Sequence, residues 1–164
     1  MTMEIVGQYL QYEATQRAGH ERDFFGRTAF NRYYYAAYLG VKNMLGSLRR
    51  EWDTISHADV PQLLRGTIKT ELSNGRKKAY KADDAETIEV CSRAITAVLE
   101  LANLMEEGYA TRVTADYTPT ILVDFSSLHN FKLNTVFVKQ AASWPVKARL
   151  LCATIAVAWN QTNA

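Results

Sequence analysis

The sequence of 164 residues has few cysteines, few prolines and no long apolar run. Its two cysteines, Cys91 and Cys152, lie far apart in apolar periodic stretches, which is typical of small buried residues in a reducing compartment. Two cysteines and three scattered histidines do not supply the closely spaced ligands of a zinc site. No apolar run approaches the ~18 residues of a transmembrane helix. The sequence therefore predicts a cytoplasmic protein with no metal site and no membrane segment.

The composition is that of a globular protein, with 48% hydrophobic and 22% charged residues. Only three prolines and eight glycines interrupt the chain, which leaves room for long helices. The motifs GxGxxG, GxxxxGK[ST] and HExxH are absent from the sequence, so no nucleotide-binding loop or zinc-protease helix is indicated. We therefore expect a largely helical protein that binds no cofactor.

The net charge of +2 is unevenly distributed along the chain. Residues 61–82 carry six basic side chains and one acidic side chain, whereas residues 83–124 carry nine acidic and two basic ones. Residues 125–164 carry four basic side chains and no acidic one. This distribution indicates a basic segment followed by an acidic segment in the middle of the chain.

The densest basic cluster contains one aromatic residue and is formed by Arg76, Lys77, Lys78, Tyr80 and Lys81. Lysine and arginine neutralise phosphates and release counterions, and a tyrosine among them can stack on a base. The cluster therefore predicts an RNA-binding surface. The alternative is a solvated loop beside the acidic helix that follows it.

The spacing of apolar residues by three and four predicts four helices. They span 3–17, 22–50, a stretch from the Ser56–Asp59 cap to about Leu72, and a stretch from Asp83–Asp84 to about Thr111. The stop signal Ser73-Asn74-Gly75 is expected to end the third helix. Four helices with short connections indicate a helical bundle.

A different pattern follows Pro119. Residues 120–125 and 131–138 have the composition of short strands and predict a small β-hairpin. A last helix is expected over 145–159, because proline is favoured in a first helical turn. We therefore expect a helical bundle over 1–119 and a C-terminal extension over 120–164 that packs on it in one compact domain.

The central string TAFNRYYYAAYL, residues 28–39, resembles the signature helix of HEPN (higher eukaryotes and prokaryotes nucleotide-binding) domains. Two further strings agree with that family, namely S-H-x-x-V-x-x-L-L over 56–64 and R-x-x-A-D-Y-x-P over 112–119. The resemblance covers residues 3–119. It implies an antiparallel four-helix bundle in a bacterial protein.

The same resemblance implies a dimer through the signature helix, either of two identical chains or with a partner protein. Its interface would include Tyr34, Tyr35, Tyr38 and Leu39, because so many neighbouring tyrosines are not expected to face one intrachain core. The alternative is that these tyrosines bury their rings inside the chain.

Many HEPN domains are metal-independent endoribonucleases that use an arginine and a histidine on one helix. Arg32 matches the family arginine, but Leu39 stands where the histidine is expected and cannot transfer a proton. His57 is the candidate substitute for the missing histidine. The alternative is that His57 has only a structural role at the start of the third helix. Arg32 is either a phosphate ligand or the partner of a structural carboxylate.

Three functions remain open at this point. The first is an RNA-associated HEPN module of a bacterial toxin–antitoxin or phage-defence system, without efficient cleavage. The second is a non-catalytic dimeric adaptor or regulatory subunit. The third is an active endoribonuclease that uses Arg32 and His57. The basic clusters favour the first function over the second.

Overall fold

The computed structural model describes residues 2–163, and 82% of the structure is helical. The α-helices are α1 Met3–Gln16, α2 Gly19–Leu48, α3 Val60–Leu63, α4 Lys69–Lys81, α5 Ala85–Tyr117 and α6 Val138–Asn163. A π-helical turn, Leu64–Ile68, joins α3 to α4, and 3₁₀ turns occur at Arg50–Thr54 and Leu128–Asn130. The predicted mostly helical class is confirmed.

A small antiparallel sheet precedes the last helix, with strands β1 Val123–Asp124, β2 Lys132–Leu133 and β3 Val136–Phe137 in that order. Residues 131–138 were expected to form one strand of a two-stranded hairpin, and that expectation is wrong. Asn134 has a φ of 55° and begins a two-residue turn between β2 and β3. Asparagine tolerates this left-handed conformation, so the stretch folds back on itself.

Helix α6 begins at Val138, so the predicted start at Pro145 is wrong. Pro145 lies inside the helix, where it removes one backbone hydrogen bond. The buried side of α6 nevertheless continues past it at steps of three and four. The buried residues at these steps are Ala141, Trp144, Ala148, Cys152, Ile155 and Trp159. Burial of this apolar side of the helix outweighs the local cost of the proline.

Helix α4 continues through Ser73-Asn74-Gly75 to Lys81, so the predicted stop is wrong. A Cβ atom at Gly75 would lie 2.6 Å from Cγ2 of Thr162. The glycine therefore permits close packing against α6 rather than ending the helix. As a result, the basic cluster lies on a helix and not in a loop. Helix α5 likewise extends beyond the predicted end at Thr111, to Tyr117.

The chain divides into two compact units. Unit 1 comprises Met1–Tyr38 with Glu107–Val146, and unit 2 comprises Leu39–Glu106 with Lys147–Ala164. The largest fully buried side chains of unit 1 are Phe30, Tyr33, Tyr34, Phe131, Leu133 and Trp144. Those of unit 2 are Leu45, Leu64, Ile68, Leu72, Leu101 and Met105. The expected boundary at residue 119 stays a prediction.

Candidate functional site

The predicted RNA-binding residues lie together in the last turns of α4, and we call them the α4 basic face: Arg76, Lys77, Lys78, Tyr80 and Lys81. The Tyr80 side chain is 74% exposed, and the three lysines are also exposed. The guanidinium of Arg76 is half-buried and donates to Oγ of Ser92, with a distance of 3.3 Å between Nη1 and Oγ. Four cations and one open aromatic ring therefore share the end of one helix.

A shallow groove of about 340 Å³ borders this face in unit 2. It is lined by Arg76, Lys77, Tyr80, Ile88 and Ser92. The aromatic ring and the aliphatic side chain present flat and apolar surfaces, whereas the two cations supply positive charge. This combination can hold a planar base and its phosphate at the same time.

Asp84, one of the acidic residues that follow the α4 basic face, is hydrogen-bonded within its own helix start. Asp84 accepts hydrogen bonds from the hydroxyl of Thr87 at 2.6 Å and from its backbone N–H at 3.1 Å, and so caps α5. These bonds hold the pKa of the Asp84 carboxyl below its ordinary value. Within residues 2–163, no carboxylate lies within 4.0 Å of the charged groups of Arg76, Lys77, Lys78 or Lys81. The positive charge of the face is therefore available to an external anion.

The tyrosines predicted at a dimer interface pack mostly inside unit 1. Tyr34 and Tyr38 are buried, Tyr35 is half-buried, and the neighbouring Tyr33 is buried as well. The rings of Tyr34 and Tyr38 are stacked, with centroids 6.1 Å apart. The premise that so many tyrosines cannot be buried within one chain is therefore wrong. The interface itself stays a prediction, and Leu39 is its most open member at 40% exposure.

Burial also sets the chemistry of these tyrosines. It raises the pKa of Tyr33 to about 12, and the charge of Glu4 adds to the effect. Burial is likewise the main cause of the raised pKa of Tyr34. The Tyr33 hydroxyl donates to Oε1 of Gln11 at 2.6 Å. Both phenols are therefore neutral near pH 7, and we assign them a packing role.

The two candidate catalytic residues belong to different units, with Arg32 in unit 1 and His57 in unit 2. Nη1 of Arg32 lies 3.8 Å from the sulfur of Met3, and the side chain is half-buried. In the described part of the chain no carboxylate lies within 4.0 Å of its guanidinium, so the alternative of a structural ion pair for Arg32 is not observed there. His57 is half-buried and precedes α3. A catalytic pairing of Arg32 with His57 stays a prediction.

A polar network in unit 1 was not predicted from the sequence. Nη2 of Arg112 donates to the hydroxyl of Tyr35 at 3.2 Å, and its Nε lies 2.9 Å from Oδ2 of Asp116. The amide of Asn31 donates to both carboxylate oxygens of Asp116, at 2.8 and 3.0 Å. These contacts join α2 to the end of α5, and among the described residues Nε of Arg112 is a buried nitrogen without a hydrogen-bond partner. The spacing of Arg112 and Asp116 by four is the one signal for it in the sequence.

No protein-family model, curated protein or solved structure matches this chain. The resemblance to HEPN domains therefore stays an expectation. Among residues 2–163, no three side chains of histidine, cysteine, aspartate or glutamate gather into a group that could hold a metal ion. None of the helices in that part of the chain is long and apolar enough to cross a membrane.

Proposed function

We propose that the chain binds single-stranded RNA through the α4 basic face, as the RNA-associated, HEPN-like module of a bacterial toxin–antitoxin or phage-defence system. The observation that carries this proposal is the open ring of Tyr80 beside four cations without ion-pair partners in the described residues. An aromatic side chain exposed to water among cations contributes little to the stability of the fold. The same ring offers a surface on which an unpaired base can stack.

The chemistry of the groove favours a single strand over a duplex. A base can stack on Tyr80 only when it is not already stacked within a helix, which is the usual state of loops and ends of RNA. Stacking on an aromatic side chain contributes about 1–3 kcal/mol per base. The lysines then contact phosphates, and each contact is expected to add about −0.7 to the log–log salt slope.

Binding without efficient cleavage follows from Leu39. A positioned general acid or base contributes about 10²–10⁴-fold to a reaction, and leucine supplies neither. The buried tyrosines do not replace it, because burial raises the pKa of Tyr33 to about 12. The module is therefore proposed to hold RNA rather than to cut it.

The test is fluorescence anisotropy with a short, labelled, single-stranded RNA at several salt concentrations. The variant replaces Arg76, Lys77, Lys78 and Lys81 with glutamine, and we expect it to lose affinity and to show a flatter salt slope. The matched control changes the same number of cations elsewhere to glutamine, namely Lys42, Arg50, Lys132 and Lys139. Equal losses in both variants would show that only net charge matters and would refute a specific face.

Tyr80 gives the sharper comparison. Tyr80→Ala is expected to weaken binding roughly 5- to 150-fold, whereas Tyr80→Phe keeps a stacking ring and the affinity of the unmodified chain. The same samples are incubated with RNA at neutral pH in a chelator. Cleavage that His57→Ala abolishes would replace the binding proposal with the active endoribonuclease that uses Arg32 and His57.

A further inference from the structure

An apolar stripe lies open on the outer side of α6 in unit 2. Leu150 is 66% exposed and Val157 is 57% exposed, with the exposed Ala153 between them. We call these three residues the α6 stripe. It borders a groove of about 330 Å³ whose lining is Val90, Arg93, Ala153, Thr154 and Val157.

The opposite side of the same helix is buried. Cys152, Ile155 and Trp159 are all buried in the interior of unit 2. Helix α6 is therefore apolar on two opposite sides, whereas a helix at the surface of a protein usually has one apolar side and one polar side. Exposed apolar residues that stand singly are ordinary, but a continuous stripe beside a groove is typical of an interaction surface.

The charges around the stripe indicate what covers it. From Lys147 to Asn163, α6 carries Lys147 and Arg149 and no acidic residue. Near its other end, Nε2 of Gln161 donates to Oγ1 of Thr87 at 2.7 Å, which places the start of α5 beside the end of α6. Glu86 and Glu89 lie at that start of α5 and are exposed. Glu89 pairs with Arg93 at 3.6 Å, so Glu86 supplies the acidic charge at this end. The surface therefore has a basic end and an acidic end, with the apolar stripe between them.

We propose that the α6 stripe is the contact surface between two copies of this chain, packed antiparallel about a two-fold axis near Ala153. An antiparallel arrangement brings the basic end of each copy to the acidic end of the other. It also packs Leu150 against Val157 of the partner subunit. The steps of three and four are those of a coiled-coil seam, and the small Ala153 lets the helices approach closely.

The first experiment measures the mass of the full chain by light scattering across a concentration series. The unmodified chain is expected to reach twice the 18.5 kDa of one copy at micromolar concentration. Leu150→Glu is expected to be monomeric, because it places a carboxylate in the apolar seam. Leu122→Glu is the matched control, since Leu122 is 62% exposed in unit 1 and lies outside the stripe. Circular dichroism checks that both variants remain helical.

The second experiment tests the orientation. Glu86→Lys and Lys147→Glu are each expected to weaken the dimer, and the double variant is expected to restore it. Ala153→Cys is expected to form a disulfide between two copies on mild oxidation, because the axis brings the two positions together. Leu122→Cys, exposed in unit 1 and outside the stripe, is expected not to do so.

The outcomes distinguish this surface from others. A chain that stays monomeric at tens of micromolar overturns the proposal. So does a dimer that Leu39→Glu dissociates and Leu150→Glu leaves intact, since the contact would then lie on α2. A stripe that instead binds a different protein is indicated when the chain is monomeric alone and Leu150→Glu abolishes a heteromeric complex, which also overturns self-association.

Discussion

The tyrosines of α2 and the tyrosine of α4 stand in similar sequence contexts and have opposite environments. Tyr33 and Tyr34 directly follow Arg32 and are buried, whereas Tyr80 directly precedes Lys81 and is 74% exposed. A basic neighbour in the sequence therefore does not indicate whether a tyrosine is a binding residue. The packing around the helix decides it.

The difference arises from which sides of each helix are covered by neighbouring helices. In unit 1, Tyr33 lies against Gly7 of α1, and Tyr34 lies against Gly108 of α5. A helix that is covered on two sides can bury consecutive residues, which one apolar stripe cannot do. Both contacts are close because a glycine supplies no side chain at the point of contact. Helix α4 has no such cover over Tyr80.

The largest expected effect is on stability at Tyr34. Replacing a buried aromatic ring with alanine removes its burial energy and leaves a cavity, so we expect Tyr34→Ala to lower the free energy of unfolding by about 3–5 kcal/mol. Tyr80→Ala is expected to change it by less than ~0.5 kcal/mol, because the ring is exposed. Urea denaturation followed by circular dichroism measures both. Similar losses at the two positions would remove the contrast between the helices.

The next effect is a loss of stability at high pH. Burial raises the pKa of Tyr33 from 10.0 to about 12, so the folded state favours the protonated phenol. Its contribution is complete below pH 10 and is lost as the pH rises to about 12, and it amounts to about 2–3 kcal/mol. Tyr33→Phe has no phenol to ionise and is expected to show a weaker fall over this range. The urea midpoint of both proteins is measured at each pH. An equal fall of the midpoint with pH in the two proteins would contradict this assignment.

The smallest effect concerns two glycines that differ in their surroundings. A Cβ atom at Gly108 would lie 2.8 Å from Cδ2 of Tyr34, whereas nothing lies within 4 Å of one at Gly40. Gly108→Ala is expected to destabilise by about 1 kcal/mol, because an overpacking cost of about 1–3 kcal/mol exceeds a helix-propensity gain of ~1 kcal/mol. Gly40→Ala is expected to stabilise by about 0.5–1 kcal/mol. Thermal denaturation tests the opposite signs, and a stabilising Gly108→Ala would show that Tyr34 moves aside easily.

Local patterns were enough to predict the helical class. The apolar periodicity located α1 and α2 to within a few residues. The capping aspartates Asp83 and Asp84 located the start of α5. The same local signals failed at Gly75 and Pro145, where packing decides the outcome. Gly75 lies against Thr162, which is far away in the sequence, and no window of local sequence contains that contact.

The candidate site was predictable in part for the same reason. The composition of the α4 basic face was apparent in the sequence, because its residues are adjacent along the chain. Its helical setting and its groove were not, since Ile88 and Ser92 come from the next helix. The network that joins Asn31 to Asp116 connects two helices that are far apart in the sequence. Only its Arg112–Asp116 pair, spaced by four on one helix, leaves a sequence pattern.

The π-helical turn between α3 and α4 has a consequence for comparing sequences. Val60, Leu64, Ile68 and Leu72 are all fully buried at successive steps of four. In a regular α-helix, each such step drifts by about 40°, so the four residues would spread around the axis. The wider turn at Leu64–Ile68 corrects this drift and in effect holds one additional residue. A related chain with a regular helix here is therefore expected to be one residue shorter between Val60 and Leu72, and an alignment would mark the turn by a single gap.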